Sequence, residues 1–327
     1  MTTLITGGAG FLGSHICREL VSKGESVVVF DNLNSEQLRI SQKLRMPDLM
    51  DKVKFVTGDI TAFPSIFQSV KENNVDRIIH TAAITFVPAA IKNPSLTFKV
   101  NIEGSFNILE AARILDLKKV LYISTSSVYG DFQKPVADET HPLEPKEIYG
   151  ASKLAADRLA ISYNKTYGID VSVVRTTSIY GPGDLENRAA KIFIENALQG
   201  KEITLEGGGL QKRDFSFVKD VAHGVCLAAM HENSAGEVFH IAGGAEGTVR
   251  NMAERISKYI PGTKIVETPA RKIDTNRGRL DISKAKRILG FEPKFSLDDG
   301  VRNYINWMAN YYFPFFEMKI INKPVGV

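Results

Sequence analysis

The chain has 327 residues and a formal net charge of only +4, spread over a sequence with a pI near 8.8. So small and dispersed a charge argues against a nucleic-acid partner, and no apolar run approaches membrane-spanning length, so no membrane partner is expected either. A chain this long buries a substantial core and suits two lobes better than one small domain.

The basic pI suits an anionic small substrate. Cys17 and Cys226 fall on apolar helical faces and read as packed thiols in a reducing compartment. The first strand opens at Thr2, which leaves no space for a signal peptide, so a cytoplasmic protein is expected. There is no internal repeat or low-complexity segment.

Thr2 to Thr6 reads as a short buried strand that runs into Gly7-Gly8-Ala9-Gly10-Phe11-Leu12-Gly13. An apolar-periodic helix follows from Ser14 to about Lys23. The glycines at 7, 10 and 13 serve a tight turn, close approach of backbone to a pyrophosphate, and close packing of helix on strand. The helix start then favours phosphate charge. A second strand, Val27 to Phe30, ends at Asp31, about twenty residues past the loop, where a carboxylate takes both ribose hydroxyls of adenosine. A 2′-phosphate would be repelled there, and Asn32-Leu33-Asn34 supplies no arginine to receive one, so the expected cofactor is NAD rather than NADP.

Further strands at 54–57, 77–81, 120–124 and 171–175 are separated by amphipathic segments. That alternation predicts a parallel, doubly wound α/β sheet. After Arg175 the pattern loosens into Gly- and Pro-marked loops, a helix from Asn187 to Gln199, and Gly207-Gly208-Gly209. The chain is expected to return to the first lobe around Phe217 to Ala242.

Tyr149 and Lys153 occur in Tyr-Gly-Ala-Ser-Lys, four residues apart, a spacing that puts phenol and ammonium on one helix face. Free tyrosine titrates near pH 10, roughly three units too high for a base in neutral cytoplasm. A buried neighbouring cation favours the phenolate, which makes Lys153 the group expected to bring Tyr149 into range.

These strings stand beside Gly58-Asp59-Ile60, His80-Thr-Ala-Ala83, Asn101-Ile-Glu-Gly104, Ser124-Thr125-Ser126-Ser127-Val128-Tyr129-Gly130, Tyr180-Gly-Pro-Gly183 and Arg213-Asp214-Phe215. Together they make the chain resemble the extended short-chain dehydrogenase/reductase family over nearly its whole length. The likeness is to the NAD-dependent nucleotide-sugar epimerases and dehydratases, with motifs nearest the UDP-glucose 4-epimerase branch. It implies a Rossmann-type sheet with a smaller C-terminal substrate-binding lobe. NAD-binding residues would be 1–177 plus about 215–245, and the lobe about 178–214 plus 246–327.

The resemblance also implies roles. Gly10, Phe11 and Leu12 of the loop, Asn32, Asp59 and Ile60 near the adenine, Ala82, Ala83 and Asn101 would contact the cofactor. Thr125 would complete a triad with Tyr149 and Lys153, and Lys153 would also bind the nicotinamide ribose. Arg213 and Arg271 match the arginines that clamp the nucleotide diphosphate, although Ile273 stands where glycine is usual. The sugar would meet Thr85, Ser126 and Ser178, with Phe86 helping to shape the pocket.

Among the family's reactions, dehydratases carry Asp-Glu directly after the threonine, because expelling water needs a further acid and base. This chain has Ser126 and Ser127 there, and related decarboxylases carry glutamate at the place of Ser127. A UDP-glucose/UDP-galactose type 4-epimerase is therefore expected; the alternatives are epimerisation at another carbon, ketoreduction of a nucleotide sugar, or a non-catalytic NAD-binding scaffold.

Two departures bear on the substrate. Arg175-Thr-Thr-Ser178 has serine where the family commonly has asparagine, and Ala90 stands where serine is common. His80 and His223 read as structural, no His/Cys/Asp cluster has metal-ligand spacing, and no metal is expected. The aromatic stretch Tyr311 to Phe316 reads as the cover of a core edge. Relatives commonly dimerise through helices, here those after Pro94 and around Tyr149 to Tyr163, so a homodimer is expected.

Overall fold

The computed structural model describes residues 1–33, 43–270 and 277–316. Seven strands, numbered here within the main sheet, are β1 (Thr2–Thr6), β2 (Ser26–Asp31), β3 (Lys54–Thr57), β4 (Arg77–His80), β5 (Lys119–Thr125), β6 (Val171–Thr176) and β7 (Val238–His240). They pair in the order β7-β6-β5-β4-β1-β2-β3, and every pairing is parallel. The register aligns the carboxyl ends: Thr6 lies opposite Phe30 on one side and His80 on the other, and Thr125 opposite Thr176.

Parallel strands bury both faces, and the two-residue period sorts their side chains. Ile5, Val29, Ile79, Leu121 and Val174 face one apolar layer, completed by Ile16, Cys17 and Leu20 of the helix Phe11–Ser22 and Val225 and Cys226 of the helix Val218–Met230. Leu4, Val28, Ile78, Val120, Tyr122 and Val173 face the other, with Ile66, Ile108, Ala156 and Ala160 from the helices Phe63–Glu72, Gly104–Ile114 and Ile148–Tyr167. Burying each such Val, Leu or Ile contributes about 1.5–3 kcal/mol. Both cysteines are free thiols and buried, as their helical faces suggested.

Six strands of the sheet match the sequence reading; β7, within the stretch Phe217 to Ala242 where that reading places no strand, pairs in parallel with β6 at the sheet edge. The first helix starts at Phe11 rather than Ser14, because Gly10 supplies an extended N-cap with no side-chain hydrogen bond. A separate apolar cluster gathers Tyr180, Phe193, Ile194, Leu205, Phe217, Met252, Ile256, Val301, Tyr304 and Met308. Tyr312 and Phe313 pack on its rim, and the Tyr312 hydroxyl donates to Glu195 at 3.0 Å. Among the described residues, no helix is long and apolar enough to cross a membrane.

Candidate active site

The strand order reverses between β4 and β1, which leaves a crevice beyond the carboxyl ends of the sheet. A cavity of about 560 Å³ opens there. Its walls come from the segments following six strands: Gly7, Gly10, Phe11, Leu12 and Gly13 after β1; Asp31 and Asn32 at β2; Asp59 and Ile60 after β3. Ala82, Ala83 and Thr85 follow β4, Thr125 and Ser126 lie at β5, and Ser178 follows β6. Tyr149 and Lys153 line it from the helix Ile148–Tyr167.

The loop after β1 has no room for side chains. A Cβ on Gly7, which has φ +67°, would lie 2.8 Å from the Ala82 backbone, and one on Gly13 would lie 2.3 Å from the Gly7 carbonyl oxygen. The Ala9 amide donates to Asp31 Oδ2 at 3.1 Å, tying the loop to the acid at the end of β2. Burial raises the Asp31 carboxyl above the ordinary range, and the amides of Ala9, Leu33 and Asn32 hold it down. A bare-backbone turn at a helix start, with a carboxylate one strand away, fits a dinucleotide's pyrophosphate and adenosine ribose.

Tyr149 stands in the first turn of its helix, whose N-cap is Glu147 accepting from the Gly150 amide at 2.9 Å. Burial pushes the phenol's titration up, a hydrogen bond with the Thr125 hydroxyl and the charge of Arg188 pull it down, Glu147 pushes it up, and Arg277 pulls it down. Thr125 is itself fixed, because its hydroxyl accepts from the Ser127 amide at 3.2 Å and caps the turn Ser126–Tyr129. Lys153 is only 3% exposed. Burial lowers its ammonium to about 7, against the opposing pull of Asp157. The ammonium lies 4.2 Å from the centre of the Tyr122 ring, and Arg175 grips Asp157 through two hydrogen bonds of 2.9 and 3.0 Å.

Other expected site residues lie elsewhere. Asn101 does not line the cavity. Buried in a π-helical turn, it accepts from the Ile84 amide at 2.8 Å and donates to the Ile84 carbonyl at 3.1 Å and Ser152 Oγ at 2.9 Å, so it braces the wall from behind. Arg213 also stays off the cavity wall, donating to the Lys212 carbonyl at 2.7 Å. Arg271 lies outside the described residues, as do Ile273 and Asn34. Ala90 is fully buried, and Phe86 precedes the helix Val87–Lys92 without lining the cavity.

His80 bonds Thr6 at 2.6 Å and Ser105 at 3.0 Å, and His223 bonds Glu19 at 2.9 Å. Both sit in structural networks. Arg45, Arg188 and Arg277 line the cavity although the sequence reading assigned them nothing. No local motif marks them; only the tertiary fold brings them to the strand ends. Among the described residues, no group of three or more His, Cys, Asp or Glu is placed to hold a metal.

The model of the NAD-dependent epimerase/dehydratase family matches residues 3–242, which includes every strand of the main sheet. The chain belongs to this family. It is 32% identical to the UDP-glucuronate 4-epimerase of Thermodesulfobacterium geofontis, across 93% of this chain and 95% of that one. It is 33% identical to a dTDP-glucose 4,6-dehydratase of Streptomyces antibioticus, across 94% and 92%. Its fold superposes on the UDP-glucose 4-epimerase of Thermus thermophilus, solved with NAD, with a TM-score of 0.85, 29% identity, and coverage of 95% of this chain and 99% of that one.

This member of the epimerase/dehydratase family is thus an NAD-dependent enzyme of nucleotide-sugar chemistry, and its cavity is lined by the bare glycine loop and by the Asp31 carboxylate.

Proposed function

We propose that this enzyme epimerises a nucleotide-diphosphate sugar at C4, of the UDP-glucose/UDP-galactose type. The observation that carries the reading is the cavity wall that Tyr149 shares with Thr125, followed by Ser126 and Ser127 where dehydration would need an acid and a base. Without an Asp-Glu pair at these two positions, oxidation of one carbon and re-reduction of that same carbon is the reaction these side chains support.

In this reading Tyr149, as phenolate, takes the proton of the C4 hydroxyl while Thr125 orients that hydroxyl. Bound NAD supplies the hydride acceptor for the same carbon and the donor that restores it. Tyr149 holds the proton until the carbonyl is reduced and then returns it to the oxygen. Inversion requires the keto sugar to turn over within the cavity before reduction. Lys153 fixes the nicotinamide ribose, and Gly7, Gly10, Gly13, Asp31 and Asp59 hold the rest of the dinucleotide.

Residues about 178–214 and 246–327 would form the sugar-receiving lobe, a division supported by the separate apolar cluster around Tyr304. The remaining residues would hold NAD. Arg213 and Arg271 are assigned to the substrate diphosphate by family resemblance. We also infer a cytoplasmic homodimer, supported by the two free buried thiols and by exposed Leu96, Phe98 and Phe106 on neighbouring helices.

The test incubates purified protein, without added cofactor, with UDP-glucose, UDP-galactose and their N-acetyl and uronic acid counterparts, followed by chromatographic separation of epimers. Interconversion of one pair, lost in Tyr149→Phe while NAD stays bound, is the expected result. A reduced sugar formed only after NADH is added would indicate ketoreduction, and no conversion of any sugar would sink the epimerase reading.

A further inference from the structure

We infer that Arg45, to which no motif assigns a role, is a cofactor-binding residue: its guanidinium, held against the glycine loop, supplies the positive charge for the dinucleotide's pyrophosphate. The inference rests on the NAD dependence of the family and not on which sugar is turned over.

The placement is built from contacts. Arg45 lines the cavity together with Gly7, Gly10, Phe11 and Asp31. Its Nη1 lies 3.5 Å from the Ala9 carbonyl oxygen, in the middle of the loop, and its Nε donates to the Gly183 carbonyl at 2.6 Å. The Gly183 turn is itself seated on the loop. A Cβ at Gly183 would lie 3.3 Å from Arg45 Cγ and 3.7 Å from Phe11 Cδ2, and the Pro182 carbonyl accepts from His15 Nε2 at 2.8 Å. On the backbone side, Arg18 donates to the Arg45 carbonyl at 2.7 Å and grips Asp48 through bonds of 2.7 and 2.6 Å. His15 and Arg18 both belong to the helix Phe11–Ser22, so the arginine is fastened to the helix whose amino end a phosphate would meet.

Ala9 sets the spacing. Its amide donates to Asp31 at 3.1 Å while its carbonyl faces Arg45, so a carboxylate and a guanidinium stand as neighbours on one residue of the loop. Ribose and phosphate follow one another in the same order along a dinucleotide. The loop itself, Gly7 to Gly13, contains no cation, and the helix start offers a phosphate partial charges only. A full charge at the loop adds charge-assisted bonds, about twice as strong as neutral ones. Burial lowers Arg45 to about 10, which leaves it charged at neutral pH. The other two cavity arginines are engaged away from the loop: Arg188 with Asp184 and Thr85, and Arg277 beside Glu147 and the Gly130 carbonyl.

The experiment follows release of radiolabelled NAD from the loaded enzyme during a chase with unlabelled NAD. Arg45→Met, which keeps the apolar stem and removes the charge, should release NAD about 10- to 100-fold faster, and Arg45→Lys should recover most of the difference. A second reading compares the concentrations of adenosine and of ADP that displace half of the bound NAD. Their ratio cancels each variant's own affinity for NAD and reports what the phosphates contribute. That ratio should fall by about the same 10- to 100-fold in Arg45→Met. Should this variant fail to fold, Arg45→Gln, which keeps a donor for the Gly183 carbonyl without the charge, gives the same two readings. An unchanged release rate would overturn the inference, and so would faster release at an unchanged ratio, which would make Arg45 only a fastening for the Gly183 turn. Neither reading needs a sugar, so a protein that converts none would leave this inference standing and remove only the epimerase reading.

Discussion

Ser178 takes a backbone φ of +38°, a conformation that strains side chains other than glycine and is tolerated best by asparagine. The asparagine that the family resemblance leads one to expect at this position would therefore have a conformational advantage as well as a polar reach. Ser178→Asn should raise stability by about 0.5–1 kcal/mol, read as a higher urea midpoint at unchanged slope; an unchanged midpoint would show that the turn stores no strain.

Lys153 illustrates the opposite trade. Folded, it titrates near 7, whereas the unperturbed side chain titrates at 10.5. Between those values the unfolded chain binds the extra proton, so this residue makes stability rise with pH. Lys153→Met should remove that slope and make the protein more stable at pH 7 while abolishing turnover. Urea unfolding at pH 7 and at pH 9.5 checks this, and equal slopes in both proteins would refute it.

Elements were legible in the sequence wherever local periodicity carried them. The strand β1, the glycine loop and the acid ending β2 stand in one short stretch whose spacing is dictated by the turn itself. Tyr149 and Lys153 were legible for the same reason, being one helical turn apart. Asn101, expected from its string to contact the cofactor, sits in a π-helical turn that points its amide at Ile84 and Ser152, a placement no local pattern marks. The helices Pro94–Phe98 and Gly104–Ile114 expose Leu96, Phe98 and Phe106, an apolar strip that a monomer would leave in water. Phe98→Glu should convert the proposed dimer to monomer with NAD still bound, as light scattering would report. A wild-type protein that is already monomeric would refute the dimer.

Across the fold, six of the seven strands could be read from sequence because each carries a run of apolar residues, whereas the three-residue edge strand Val238–His240 and the cation set of the cavity could not. Arg45, Arg188 and Arg277 come from three distant segments, and no spacing rule connects them. Arg45 donates to the Gly183 carbonyl at 2.6 Å, a partner 138 positions away. Such contacts follow from the strand order, which the alternating pattern limits to a few topologies without selecting one.

The cavity has a kinetic consequence. Its walls join segments that follow six strands, from Gly7 to Ser178, so a binding-competent site exists only after nearly all long-range strand pairing is complete. A dinucleotide that binds there stabilises the native state but not the transition state that precedes it. Saturating NAD should therefore slow unfolding by the full factor of its stabilisation and leave the refolding rate unchanged. Stopped-flow unfolding and refolding in urea, with and without NAD, would separate the two. A faster refolding limb would mean that the glycine loop and the acid of β2 assemble into a binding site before the remaining strands have paired.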